Sequence, residues 1–237
     1  MIFGAILAGG SGTRMQNSAL PKQFLMLGDY PILIRTLRIF LACPQIDHVL
    51  VGVPATWLDY TQTLLDTYCP HADVSLFAGG ATRTDTLFAA ADAARARFGT
   101  QSDDILITHD AVRPFITQQM LTDNIAAARE CGACGTAVAA VDTILESNDG
   151  QWINAIPPRA QMYQMQTPQT FQIDALHRAY AALTPEQQHS LTDGCGIFSA
   201  CGLPVRLVNG SVRNIKLTTP TDLAIAQAFL AQDCNIP

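Results

Sequence analysis

Short apolar runs alternate with segments of helical period along the first half of the chain, and this alternation restricts the fold more than any other feature. Residues 2 to 7 form a strand-sized apolar run that empties into Gly9-Gly10. Beyond Pro31, the apolar residues Leu33, Ile34, Leu37 and Phe40 recur at helical spacing, and Pro44 closes the segment. The order then repeats: a strand from Val49 to Val53, a helix through Trp57, Leu64 and Leu65, a strand from Val74 to Phe77 and an Ala-rich helix from about Thr84 to Phe98. A further strand, Ile105 to Thr108, leads into His109-Asp-Ala-Val-Arg-Pro114 and a helix from about Thr117 to Cys131. Such alternation implies an α/β fold, a Rossmann-like and mostly parallel sheet flanked by helices on both faces. Ligands of such sheets bind beyond the carboxyl ends of the strands.

The pattern breaks after Asp142. Thr143-Ile-Leu-Glu, the turn-like Asn148-Asp-Gly150 and Trp152-Ile-Asn-Ala-Ile156 predict a β-hairpin arm at about 142–170 that projects from the main body and needs a surface to pack on. A strand at Pro204 to Val208 and an apolar-faced helix at Asp222 to Leu230 complete the chain. With 237 residues, 49% of them hydrophobic, residues 1–237 are expected to bury one core as a single domain.

A formal net charge of -6 and the lack of a basic stripe argue against a nucleic-acid partner. No apolar run is long enough to span a bilayer, and Met1 leads into a strand rather than a basic leader, so a cytoplasmic protein without a membrane partner is expected. The seven cysteines are an odd number and suggest reduced thiols. Cys131-Gly-Ala-Cys134 has half of a zinc-knuckle spacing, but no second pair accompanies it, and small buried thiols are the preferred reading.

The loop Gly9-Gly10-Ser11-Gly12 lets backbone approach a ligand closely and turns amide groups toward anionic oxygens. It is neither a dinucleotide fingerprint, since Met15 stands where a third glycine belongs, nor a P-loop, since no G-x-x-x-x-G-K-[ST] occurs. Arg14 and Lys22 add fixed positive charge beside it, the guanidinium bridging oxygens and the lysine acting as a point charge. Ordinary surface cations are the structural alternative for both, and the glycine loop between strand and cations favours a polyphosphate site.

Asp110 stands at a strand's carboxyl end beside the glycine loop; taken alone, a turn or N-cap role ahead of Pro114 ranks first, and beside a bound polyphosphate its carboxylate would call for a Mg²⁺ ion between them. His109 reads as a packing or hydrogen-bonding residue rather than a general base, and Arg113 as a ligand contact or a partner of Asp110. The stretch Gly79-Gly-Ala-Thr-Arg-Thr-Asp-Thr86 passes from strand to helix and offers free amides and hydroxyls, with Thr84 or Asp85 serving as a helix cap.

Leu7-Ala-Gly-Gly-Ser-Gly-Thr-Arg-Met15, Pro21-Lys-Gln23, Thr108-His-Asp-Ala-Val-Arg-Pro114, Thr167-Pro-Gln169 and Asn214-Ile-Lys216 resemble, in order, the motifs of the sugar-phosphate nucleotidylyltransferases, in their cytidylyltransferase branch. The likeness spans nearly the whole chain. It implies CTP as co-substrate, bound by Leu7, Ala8, Gly9, Gly10, Gly80, Ala81, Arg83, Thr86, Asp110 and Ala111, with Mg²⁺ at Asp110. It implies that Arg14, Lys22, Arg159 and Lys216 are catalytic, and that Arg113, Thr143, Arg159, Thr167 and Lys216 hold a polyol phosphate. In relatives the arginine matching Arg159 comes from the arm of the opposite subunit, which implies a homodimer with shared sites.

Two acceptors compete within that branch. Enzymes acting on methylerythritol 4-phosphate usually carry an aspartate before Asn-Ile-Lys and a second acid after Thr-Asp, where this chain has Arg213 and Gly194. The stretches Ile156 to Phe171 and Leu191 to Phe198 look closer to enzymes that transfer CMP to D-ribitol 5-phosphate. The resemblance therefore favours ribitol 5-phosphate, with methylerythritol 4-phosphate of isoprenoid biosynthesis as the alternative. A catalytically silent sensor of the same ligands would be expected to lose its cations, and Arg14, Lys22, Arg159 and Lys216 are all present.

Overall fold

The computed structural model describes residues 1–9, 20–99 and 101–233. In chain order the strands are β1 (Ile2–Leu7), β2 (Met26–Leu27), β3 (Tyr30–Pro31), β4 (His48–Val53), β5 (Val74–Ala78), β6 (Ile105–Asp110), β7 (Ala133–Ala139), β8 (Tyr163–Gln172) and β9 (Arg206–Asn209). The helices are α1 (Ile32–Leu41), α2 (Leu58–Tyr68), α3 (Arg83–Phe98), α4 (Gln118–Cys131), α5 (Ile173–Ala181), α6 (Pro185–Ser190), α7 (Gly194–Ala200) and α8 (Pro220–Asp233). Seven strands build one sheet in the order β5-β4-β1-β6-β8-β7-β9, while β2 and β3 pair as a small ribbon. Every neighbouring pair in the large sheet is parallel except those made by β8, which runs antiparallel to both β6 and β7.

Alternation along the strands sorts the core into two layers. Ile2 and Ile6 of β1 face α1, α2 and α4, packing with Leu37, Phe40, Leu64, Leu121 and Ile125. Phe3, Ala5 and Leu7 face the opposite way, onto Leu87 and Ala91 of α3, Leu176 of α5 and Phe198 of α7. A strand with both faces covered has no place for polar side chains, which is why its sequence is continuously apolar. A third cluster ties Val112 and Leu217 to Ala226 of α8.

The arm is shorter than expected from sequence. Residues 163–170, placed in the hairpin by sequence, belong to β8 inside the central sheet. What projects is a minimal hairpin closed by a single bridge, with the Glu146 amide donating to Ala155 O at 2.8 Å. Its Trp152 is 75% exposed, and Ile153, Ile156 and Val141 are exposed with it.

The Cys131 to Cys134 spacing is split by a helix end. Cys131 is the exposed last residue of α4, Gly132 turns left-handed at φ 79°, and Cys134 is buried in β7. The Cys134 thiol donates to Asn124 O at 3.2 Å, and burial pushes its pKa up to about 12, which suits an inert thiol. Among the described residues no group of three or more His, Cys, Asp or Glu is disposed to hold a metal ion. Among them, too, no helix is long and apolar enough to cross a membrane.

Candidate active site

The carboxyl ends of β1, β5 and β6 open into one cleft of about 350 Å³. Leu7, Ala8 and Gly9 form one wall, Gly80 to Arg83 and Thr86 another, and Asp110 to Val112 the floor, with Lys22, Gln23 and Lys216 at the rim. Parallel strands bring these segments together because their carboxyl ends lie side by side. The Ala111 amide donates to Leu7 O at 3.0 Å, and the Ala8 amide to Gly52 O at 2.7 Å.

Two walls are built by hydrogen bonds the sequence encodes locally. Thr82 caps α3 in a reciprocal capping box, its hydroxyl accepting the Asp85 amide at 3.0 Å while the Asp85 carboxylate accepts the Thr82 amide at 2.9 Å. Thr86 accepts the Gly80 amide at 3.1 Å and donates to Thr82 O at 2.9 Å, which folds the Gly79-Gly80 loop back over the helix start. A Cβ on Gly80 would come within 2.2 Å of the Asp85 Cβ, so only glycine permits this approach. On the other side Gln23 is buried, and its Nε2 donates to Ala8 O at 2.8 Å, fixing the turn that carries Lys22 against the end of β1.

Asp110 is the one carboxylate among the residues lining the cleft. Lys216 Nζ lies 2.8 Å from its Oδ2, Arg113 Nε 3.5 Å from the same oxygen, and Arg83 Nε 3.4 Å from Oδ1. Burial alone would raise the Asp110 pKa, but Arg83, Lys216 and Arg113 outweigh it and hold the carboxyl well below the usual range. Three cations around one carboxylate, with Lys22 at the rim, leave the cleft strongly positive, the field a polyphosphate requires. Lys216 is delivered by backbone pairing, since the Leu217 amide donates to Val112 O at 2.9 Å.

Behind the floor lies a buried polar network. Arg113 Nη1 donates to Asn214 O at 2.8 Å, and Asn214 Nδ2 donates to Thr167 O at 2.8 Å. His109 is fully buried between the Thr167 hydroxyl and Arg113 O, and burial lowers its pKa to about 4. A neutral imidazole with both nitrogens engaged is a brace, in keeping with the sequence reading.

Of the residues singled out from sequence, Leu7, Ala8, Gly9, Lys22, Gly80, Ala81, Arg83, Thr86, Asp110, Ala111 and Lys216 all line the cleft. Gly10 and Arg14 lie outside the described residues. Arg113 and Thr167 sit beneath the floor, tied to Asp110 and His109, so the structural role considered for Arg113 describes its contacts. Thr143 and Arg159 are not brought to the cleft of their own chain: Thr143 is exposed in the arm, and Arg159 Nη1 donates to Val141 O at 3.2 Å. Thr82, Gln23 and Val112 line the cleft without having been picked out individually. Their signal was position, each lying inside a quoted motif beside a chosen residue.

The family model for 2-C-methyl-D-erythritol 4-phosphate cytidylyltransferase matches residues 2–232. The ribitol-5-phosphate cytidylyltransferase of Lactiplantibacillus plantarum is 46% identical over 230 residues, covering 97% of this chain and 98% of that protein. Among solved structures, the 4-diphosphocytidyl-2C-methyl-D-erythritol synthase of Anaerococcus prevotii superposes with a TM-score of 0.80 at 27% identity, covering 97% of this chain and 96% of that one. The Francisella tularensis 2-C-methyl-D-erythritol 4-phosphate cytidylyltransferase gives 0.78 at 25% identity, covering 96% and 98%.

Proposed function

The chain belongs to the 2-C-methyl-D-erythritol 4-phosphate cytidylyltransferase family, and from that premise we propose that it transfers CMP from CTP to D-ribitol 5-phosphate, giving CDP-ribitol and pyrophosphate. The observation that carries the acceptor is the 46% identity, over nearly the full length of both chains, to a ribitol-5-phosphate cytidylyltransferase. Identity to the solved methylerythritol enzymes is 27% and 25%.

A phosphate oxygen of the polyol phosphate attacks the α-phosphorus of CTP in line, and pyrophosphate leaves. The nucleophile arrives ionised, so the cleft needs no Ser, Cys or His to activate it, and none of the described residues that line it is one. Its work is positioning and charge stabilisation. The amides of the Gly9 and Gly80 loops approach the nucleotide, Lys22 and Arg14 stabilise charge at the α-phosphate and leaving group, and Lys216 grips the acceptor phosphate.

A magnesium ion fits the donor set: Mg²⁺ takes one or two carboxylates with phosphate oxygens and waters, and Asp110 supplies one carboxylate at the cleft floor. Bound there, it would neutralise triphosphate charge. Lys216, paired with Asp110 Oδ2, would then be released toward the acceptor phosphate.

The protein acts as a homodimer in the cytoplasm, where its thiols stay reduced. Thr143 and Arg159 lie away from their own cleft on an arm carrying exposed Trp152, Ile153 and Ile156, an apolar surface suited to a second copy. The arm of one subunit then carries Arg159 and Thr143 to the acceptor site of its partner.

The test is pyrophosphate release from CTP and Mg²⁺ with D-ribitol 5-phosphate or methylerythritol 4-phosphate, using Lys22→Ala as control. Faster turnover of ribitol 5-phosphate, lost in the variant, supports the assignment. Preference for methylerythritol 4-phosphate, or release with neither, overturns it.

A further inference from the structure

Gln169 sits on β8 and is 1% exposed, yet it is neither a packing residue nor part of the cleft lining. Its Oε1 accepts from Arg83 Nη1 at 3.1 Å and from the Gly194 amide at 3.2 Å. Both neighbours can only donate, which fixes the side-chain carbonyl, not the amide nitrogen, toward them. One oxygen thus bridges the first residue of α3 and the first residue of α7.

The bridge matters because little else among the described residues holds the Arg83 guanidinium. Its Nε reaches Asp110 Oδ1 at 3.4 Å, and its buried Nη2 has no hydrogen-bond partner among the described residues. Gly194 is suited to its end of the bridge: a Cβ there would lie 2.6 Å from the Phe171 ring and 3.1 Å from Leu87 Cδ2. Without a side chain, the backbone presses against Phe171 and its amide reaches Gln169. Asp193 caps the same helix, accepting the Gly196 amide at 2.8 Å, so the α7 end of the bridge is itself held in place.

We propose that Gln169 is a positioning residue for nucleotide binding, bracing Arg83 against the N-terminus of α7 so that the guanidinium faces the cleft beside Asp110. The inference rests on the reading that Arg83 contacts CTP. Gln169 touches no substrate and acts through Arg83.

A double-mutant cycle tests it, with CTP KM and kcat measured for Gln169→Met, Arg83→Ala and the pair. Methionine preserves bulk but removes the acceptor. Loss of a hydrogen bond to a charged group predicts a rise in CTP KM on the order of tenfold for Gln169→Met. The KM for the polyol phosphate stays unchanged, and Gln169→Met adds nothing in the Arg83→Ala background. Gln169→Asn withdraws the acceptor while keeping the amide, and gives a smaller shift in the same direction should the methionine variant fold poorly. An unchanged CTP KM in both Gln169 variants, or a full effect that persists without Arg83, overturns the positioning role while leaving the nucleotide role of Arg83 intact. An unchanged CTP KM in Arg83→Ala overturns both. Wild-type protein that does not turn over CTP overturns the functional reading itself.

Discussion

The Thr167 hydroxyl oxygen lies 2.9 Å from Nδ1 of His109 and also accepts the Asp110 amide at 3.1 Å; because Arg113 O on the far side of the ring can only accept, Nδ1 is the unprotonated nitrogen and takes the hydroxyl proton. Nε2 then carries the ring proton and donates it to Arg113 O at 3.0 Å. A second proton on the ring would set two donors against each other inside a dry network. Burial accordingly lowers the His109 pKa from 6.5 to about 4.

That shift makes stability depend on pH. Between about 4 and 6.5 the unfolded chain binds a proton at His109 that the folded chain refuses. The contribution is full above pH 6.5 and is lost as pH falls toward 4, amounting to about 3 kcal/mol by linkage. His48 and His177 are also lowered by burial and tilt the same way, so the informative quantity is a difference. Urea unfolding of wild type and His109→Gln from pH 4 to 7 should show a shallower dependence in the variant. Equal slopes would remove this role from His109.

Asp110→Asn should separate two effects of one carboxylate. Without its charge, three cations face the cleft unopposed, and CTP in the absence of divalent ions should bind more tightly than to wild type. With Mg²⁺ present, turnover should fall by about a hundredfold or more and lose its dependence on the ion. Titration calorimetry with and without Mg²⁺ checks both arms; a variant that keeps the wild-type Mg²⁺ dependence would exclude Asp110 as a ligand.

Lys22 stands at the cleft rim on a turn held by Gln23, so its side chain can be removed without disturbing that brace. Lys22→Ala should lower kcat by about a hundredfold, the loss of about 3 kcal/mol of transition-state stabilisation. The melting temperature should stay close to wild type. A fall in melting temperature alone, with kcat retained, would make Lys22 structural.

How much was legible in the sequence depended on what each segment packs against. β1, β4 and β6 are apolar on both faces because helices cover both, and their runs were readable. β8 was not, because Tyr163-Gln-Met-Gln-Thr-Pro-Gln-Thr-Phe-Gln172 carries a proline and several amides and hydroxyls in a strand with neighbours on both sides. Pro168 falls where the pairing with β7 shifts register between Gly135 and Ala137, and Gln166, Thr167 and Gln169 serve the networks beneath the cleft. Tertiary hydrogen bonding there overrides strand propensity. β7, with its small residues Ala133, Cys134 and Gly135, offered no period to read, and α7 opens on Gly-Cys-Gly. The described part of the cleft was readable because Leu7 to Gly9, Lys22, Gly80 to Arg83, Asp110 to Val112 and Lys216 lie in short contiguous motifs. Gln169 was quoted as part of such a motif, but its bridge to Gly194 joins residues far apart in sequence that only the fold brings together.

Gly80→Ala tests the backbone of the nucleotide wall. The new methyl would meet the Asp85 Cβ and displace the loop from the capping box. Overpacking of this kind costs about 1–3 kcal/mol. Thermal denaturation should register that loss, with a weaker affinity for CTP in the same variant. A variant with wild-type stability and affinity would show that the loop shifts freely.

The proposed sharing of the site between two subunits can be tested by complementation. Arg159→Ala and Lys22→Ala are each expected to be inactive, the first because the arm lacks its cation and the second because the cleft does. If Arg159 serves the partner's cleft, a mixed dimer places both lesions in one site and leaves the other intact. Random subunit exchange makes half the dimers mixed, and activity should recover to about a quarter of wild type. If Arg159 serves its own cleft, each site in a mixed dimer carries one lesion and no activity returns. Sedimentation of Trp152→Asp provides the companion measurement, since a charge in the exposed apolar face of the arm should shift the protein toward monomer and abolish the recovery.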